Sequence, residues 1–521
     1  MEPNKDPSAR VGAITKRRWL IPLAIVLLVV LLTGGIILIF HWPFSSQKVM
    51  QALQEDWPGQ IGVQHFERTY FPHPGCVLDG VTLTRGANSS GPPLVAIRRM
   101  TIKANYHDML LRPGFVSGIL LEGLKISVPV DQPGGGTAPA SQQASKSSGP
   151  SIRLGEVFTR DATLEIAKKS DGPLKFEIHE LTLMSVKDKG PMSYDLAMHN
   201  PDPPGEIRSQ GKLGPWDSQH LDNIFLAGDY TFDKADLGVY GGIAGMLSAK
   251  GEFQGRLGKV ETQGVMEIPN FEVTRSHHPV VMKTKFAVTV DGTGGDTILK
   301  SVDATFLHTA VHIEGAIAGK PGKPGKTTTL NLSVRDGRID DVLRLFVREP
   351  KPPLEGATTF KAHVVWPSGH EDFLRRVMLQ GDFVIEHARW EDTERQNNLN
   401  MLSKRASGNK KDPATADVAA DIKGNVQLKN TTATFKDTIG TIPGAEATLN
   451  GTYNLENTKI DFHGNLKTEA SLSNDTTGAK AVLLKPLDPF FKRKHAGAVV
   501  PVAMTGTYKD PHFGISMTGS K

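Results

Sequence analysis

Few residues of this chain have the types and spacing that chemistry requires. Asp291 to Leu299 reads DGTGGDTIL and departs from the calcium-binding nonapeptide G-G-x-G-x-D-x-U-x only at Asp291. That chemistry needs tandem copies, because successive turns supply ligands to shared ions. A single copy between the alternating runs KFAVTV and ILKSVDATF reads as a glycine-rich turn. His277 and His278 are adjacent, so on a strand they point to opposite faces and cannot share a metal. Asp340 and Asp341 sit together at the start of a helical stretch followed by Arg344, as a helix-dipole complement rather than an acid/base pair. No HExxH, CxxC, GxSxG or phosphate-binding loop occurs. The expectation is a protein that is not an enzyme and uses no cofactor or metal.

The elements around these residues are strands. LKISVPV sets Leu124, Ile126 and Val128 on one side and Lys125 and Ser127 on the other. The same period of two places Leu164 with Ile166, Phe176 with Ile178, and Ile460 with Phe462. Each such strand has one apolar and one wetted face. Strands repeatedly meet a glycine and continue, at Gly123, Gly228, Gly251, Gly264, Gly315, Gly381, Gly424, Gly451 and Gly506. Glycine inside a strand predicts a bulge or bend, which suits a long curving meander. Helical spacing appears over 47–57, with Val49, Met50, Leu53 and Trp57 on one face, and a few helical pieces interrupt the strands, notably 338–347 and 370–379.

Ahead of the strands lies the longest apolar run, the 22 residues Trp19 to Phe40, with no charge. As a helix it reaches about 33 Å, enough to cross a hydrocarbon core of about 30 Å. Lys16, Arg17 and Arg18 abut its start, which predicts a cytoplasmic N-terminus and a large part across the membrane. HWPFSS offers no small-x-small cleavage site, so an uncleaved anchor is expected rather than a signal peptide. Trp19 and Trp42 fall at its two ends, where indoles favour the interface. The single cysteine, Cys76, excludes an internal disulfide framework. Most of the net charge of +5 belongs to the tail before the run, and no basic stripe interleaves with aromatics, so nucleic acid is not an expected partner.

The expected organisation is a tail (1–18), an anchor (19–40), a membrane-proximal αβ segment (45–130), a Pro/Gly/Ser-rich linker or loop (131–150), a central β region (151–405) and a C-terminal β region (416–521). A polar break near 406–415 separates the last two, and the basic GKPGKPGK (319–326) is expected as an exposed strand connection. The fold class is mainly β, with one transmembrane helix, a long curved antiparallel sheet and a few short helices. Period two does not by itself separate an open trough from an ordinary sandwich, because both need one dry face.

Several stretches resemble the AsmA-like family of bacterial envelope proteins, related to bridge-like lipid transporters. They include TYFPHPGCVLDGVTLTRG (69–86), GDYTFDKADLGVYGGIAGMLSAKGEFQGRL (228–257), DGRIDDVLRLFV (336–347) and IPGAEATLNGTYNL (442–455). The last diagnostic block is LLKPLDPFFKRKHAGAVVPVAMTGTYKDPHFGI (483–515). The resemblance implies an inner-membrane protein with its bulk in the periplasm and a sheet curled into an apolar trough. Phospholipid or another acyl ligand would move along that trough, supporting outer-membrane homeostasis, and envelope protein partners are implied as well. The nine apolar residues named above are then candidates for the groove lining. The rival expectation is a structural or assembly factor that acts on outer-membrane proteins through exposed strand edges.

Overall fold

A computed structural model describes residues 42–57, 59–84, 93–111, 115–128, 153–166, 173–185, 190–215, 221–319, 325–369, 371–407, 417–469 and 499–515. The expected tail (1–18), apolar span (19–40) and linker (131–150) lie outside them, and among the described residues no helix is long and apolar enough to cross a membrane. Twenty-five strands, from Ile61–Gly62 to Pro511–Ile515, form one open, curved sheet. The mainly β expectation with few short helices is what the chain shows.

Apart from the two-residue strands Ile61–Gly62 and Ile243–Ala244, which pair with the next strand but one, consecutive strands pair antiparallel with one departure from the expected pattern. Phe115–Val128 and Arg153–Ile166 run parallel, with Phe115 opposite Arg153 and Val128 opposite Ile166. A parallel pair needs a crossover of a dozen or more residues, and 129–152 supplies that length, where a tight turn would have forced antiparallel pairing.

Curvature comes from bulges, but mostly not at the glycines that the sequence flagged. Register shifts fall at Phe232/Ala235, Val334/Gly337, Ile385/Ala388 and Phe435/Thr438. The displaced residues there include Lys234, Asp336, His387 and Asp437, all with positive φ. Their freed amides are partly caught across the sheet: the His387 amide donates to Asp421 Oδ1 at 3.0 Å and the Asp437 amide to Asn450 Oδ1 at 2.8 Å. Such bulges bend the strand and tighten its twist. Gly228, Gly251, Gly264, Gly381 and Gly451 instead sit in regular register. The bend reading does hold at Gly123, whose φ is +63°, and at Gly424, where the ladder shifts.

Among the described residues five α-helices decorate the sheet, besides two 3-10 turns (Leu221–Asn223 and Leu237–Tyr240): α1 (Ser46–Asp56), α2 (Tyr106–Leu111), α3 (Ile339–Arg344), α4 (Phe373–Arg376) and α5 (Thr393–Ala406). α1 has the expected extent and face. Val49 is buried and Leu53 packs against the core of Cys76, Leu78, Val81, Ile97 and Ile102, while the Trp57 indole donates to the Thr84 carbonyl at 3.0 Å. The expected helix over 370–379 shrinks to the single turn α4. Asp372 caps it by accepting from the Leu374 amide at 2.9 Å, and Met378 already opens a strand, because Leu379, Gly381, Phe383 and Ile385 continue a period of two that two neighbouring strands pair with. Likewise the expected 338–347 helix keeps only Ile339–Arg344, since Arg338 ends a strand.

α5, the longest helix described, had no counterpart in the sequence reading. Its sequence TERQNNLNMLSKRA is poor in apolar residues, and it buries Gln396, Asn398 and Ser403 instead. Gln396 accepts from the Trp390 amide at 2.9 Å and donates to the Val418 carbonyl at 2.8 Å, so the buried amide is satisfied. The readable signal was at its ends: Asp392 caps the Arg395 amide at 2.8 Å, and Lys404 and Arg405 close the last turn.

Candidate functional site

The strands place their apolar residues in a continuous row, each directly opposite the next. Leu78 faces Met100, which faces Leu121, Thr159, Leu181 and Leu196 in turn. Ser209, Tyr230, Gly251, Gly264 and Phe286 continue it. Val302, Ile313, Leu332, Ala362 and Gly381 follow. Val426, Phe435, Gly451, Phe462, Met504 and Phe513 complete it. At about 4.8 Å per strand this row runs on the order of 100 Å without a charged side chain. Shifted by one residue lies the opposite face: Lys250, Val265, Lys285, Asp303, His312, Ser333, Lys361, Asp382 and Asn425 are partners in the same way.

Burial separates this arrangement from a sandwich. In a sandwich the dry face is covered by a second sheet about 10 Å away. Here Leu181, Leu196, Tyr230, Phe286, Val302, Ile313, Leu332, Val426, Phe435 and Phe462 are only half-buried. The sheet bends toward them, because residues far apart in sequence meet over that face. Val273, Val364, Leu374 and Val377 form one cluster, with Leu332, Leu428 and Leu455 against it.

Aromatic rings are paired with glycines in the floor. Gly264 faces Phe286, Gly424 faces Phe383, and Gly451 faces both Phe435 and Phe462. A Cβ on Gly264 would lie 2.9 Å from the Phe286 ring, and one on Gly451 2.5 Å from Phe462. The missing side chain lets the ring lie against backbone, and the rings then touch each other, with Phe383–Phe435 at 6.0 Å and Phe435–Phe462 at 5.5 Å. This is the physical content of the strand–glycine–strand rhythm.

The electrostatics follow the same division. Burial raises the Tyr230 phenol and pushes Tyr453 up to about 12, so both stay protonated beside the apolar face. On the wetted face charges pair with one another. Lys300 reaches Glu261 at 2.8 Å and holds its carboxyl below the usual range. His312 sits 2.7 Å from Asp303 and 3.4 Å from Glu314, and those hydrogen bonds raise its pKa. Two open depressions on this face, one beside His312, Lys361 and Asp382 and one beside Lys250, Lys283 and Asp303, have walls of mixed charge.

Over the apolar cluster at α4, distant loops are tied together. Arg375 binds Glu456 at 2.7 Å, and Arg275 stands 3.7 Å from the same carboxylate. The Phe373 amide donates to the Gly241 carbonyl at 3.1 Å, and the Arg376 guanidinium donates to the Tyr240 carbonyl while lying over the Trp366 ring at 5.4 Å.

The nine candidate residues fall on this face in two groups. Ile126, Leu164 and Phe176 are successive partners, as are Val128 and Ile166, and Ile178 lies opposite Ala162 and Met198. Phe462 is in the row itself, far along the sheet. Two of the nine are better described as support: Leu124 packs on the α1 core, and Ile460 is buried. Sequence reasoning missed Phe286, Val302, Ile313, Leu332, Val426 and Phe435, although the period of two marks them equally.

The chemical candidates resolve into structure. Asp291 accepts from the Thr293 amide and hydroxyl at 2.9 and 2.6 Å, and Lys326 bonds the Gly294 carbonyl and Asp296, making a closed turn. His277 faces Glu272 at 3.7 Å while His278 bonds the Glu349 carbonyl at 2.9 Å. Asp340 pairs with Arg338, and buried Asp341 accepts from the His308 amide at 2.8 Å and the Thr309 hydroxyl at 2.9 Å, anchoring α3 to a strand turn. Among the described residues no three His, Cys, Asp or Glu side chains come together as a metal site. No family model, curated protein or solved structure matches the chain.

Proposed function

We propose that the chain is a membrane-anchored, AsmA-like protein that binds or conveys phospholipid acyl chains along its apolar sheet face, with its bulk in the periplasm and a non-enzymatic role in outer-membrane homeostasis. One observation carries the reading: an uncharged row crosses twenty-two strands, and from Leu181 onward most of it is left half-exposed. Sheltering an acyl chain there removes its methylenes from water at about 0.8 kcal/mol each. The headgroup stays outside, in water, so the face needs no headgroup pocket. The 19–40 run supports the anchor, and the order of its flanking charges supports the orientation.

The test is mass spectrometry of lipid retained by the full chain after extraction into native lipid discs and exchange into a mild detergent. Phospholipid at one or more molecules per chain is expected. Recovery of no lipid under conditions that keep the sheet folded contradicts the reading. The assembly-factor reading has one observation in its favour. Among the described residues Pro511–Ile515 pairs only with Val499–Thr507, and its outer edge is one to which a client strand could add. A client strand cross-linked at that edge, together with a lipid-free groove, is the result it expects.

A further inference from the structure

The most exposed large apolar side chain described is not in the groove. Phe71 is 86% exposed and Leu111 67%, with Tyr70 at 40% and Tyr106 at 38%. Tyr70, Phe71 and Tyr106 belong to one surface, because the Tyr106 hydroxyl at the start of α2 donates to the Tyr70 carbonyl. Water gains nothing by wetting a phenylalanine at the tip of a loop, and such clusters mark contact surfaces.

The chain itself says what covers this one. Trp42, expected at the membrane interface, is instead 2% exposed, and its ring centre lies 4.6 Å from Tyr70. Phe40, the last residue of the apolar run, is two residues before Trp42 and so within about 7 Å of it along the chain. If that run crosses a bilayer, the Tyr70–Phe71 loop is held at the bilayer surface by the packing of Trp42. Aromatic side chains with a polar neighbour favour that level.

We propose that Tyr70, Phe71 and Tyr106 form a second membrane contact, inserted into the interface of the same bilayer that 19–40 crosses. The inference rests on the anchor reading above and adds a partner surface to it. A single span leaves a protein free to swivel about its axis, whereas a span plus an inserted loop fixes a direction. The first strands of the apolar row, which carry Leu78 and Met100, would then stand against the lipid surface from which a chain is drawn.

Cysteine labelling of the full chain tests this. The one native cysteine, Cys76, is buried with its thiol pushed up to about 12, so it stays unlabelled. Val30→Cys, Phe71→Cys and Ile298→Cys are each tagged with an NBD fluorophore. Ile298 is 58% exposed on a distant strand and serves as the apolar control. The proteins are reconstituted into vesicles of phosphatidylethanolamine and phosphatidylglycerol carrying doxyl-lipid quenchers. Position 71 is expected to be blue-shifted and quenched several-fold more than 298, as position 30 is. Quenching at 30 with position 71 behaving like 298 overturns the second contact and leaves the anchor standing. Absence of quenching at both 30 and 71 overturns both.

Discussion

Two stretches of the same sheet treat their apolar face in opposite ways. In 42–128, α1 and the Trp42–Phe44 segment lie over the strands, and Cys76, Leu78 and Val81 are at most 1% exposed. From about Tyr194 to Phe513 the alternation is as regular, yet Phe286, Val302, Ile313 and Phe435 are left half-exposed, and the helical segments among the described residues are α3, α4, α5 and two short 3-10 turns. The covered stretch is built for stability. The uncovered one leaves an apolar surface half-exposed, and this is the surface that the proposed acyl ligand would cover.

Mutations that separate stability from binding probe that difference. Leu78→Ala should cost about 2–5 kcal/mol, seen as faster hydrogen exchange through Gly75–Leu83, because a full core side chain leaves a cavity. Val426→Ala, on the half-exposed row, should cost less than about 1 kcal/mol by the same measurement. Equal losses at both sites would erase the distinction between the two regions.

Phe435→Asp puts a charge into the row beside Phe383 and Phe462. It should strip most of the retained lipid, whereas Lys436→Asp on the other face should leave retention unchanged. Gly264→Val should destabilise by about 1–3 kcal/mol, since its Cβ would meet the Lys250 carbonyl at 2.4 Å and the Phe286 ring at 2.9 Å. Should Gly264→Val be neutral, the ring does not lie on the glycine as described.

The smallest effect belongs to the wetted face. The folded pKa of His312 is raised, first by its hydrogen bond to Asp303 and then by Glu314. Its stabilising contribution is therefore fully present below the unfolded histidine pKa of about 6.5 and is lost as pH rises through the folded value. His312→Gln should lower stability slightly at pH 5.5 and not at pH 8, with solvent screening keeping the difference small because the side chain is 41% exposed. A larger loss at pH 8 than at pH 5.5 would reverse the sign.

The sequence made the strands and their dry face readable because period two is a local property: Ile126, Leu164 and Phe176 announce the face without knowledge of their partners. α1 was legible for the same reason, through its 3.6-residue spacing. What local pattern does not hold is pairing. The parallel register of Phe115–Val128 with Arg153–Ile166 depends on a long connection, and the bulges at Lys234 and His387 have no glycine beside them to announce them. α5 escaped because its buried side chains are amides and hydroxyls, whose fitness for burial depends on Trp390, Val418 and Pro443 supplying partners. The packing of Trp42 on Tyr70 is also a contact that no local pattern announces. Whether an alternating face is covered is likewise invisible locally, and that is the property on which the site depends.

The most direct test of an acyl-binding face is a photoreactive residue placed in turn at Phe286, Phe435 and Phe462 and at their outward neighbours Lys285, Lys436 and His463. The account predicts cross-linked phospholipid at the first three positions and none at the second three, a contrast set by one residue of register. Equal cross-linking on both faces, or none on either in a folded and membrane-extracted chain, would contradict it.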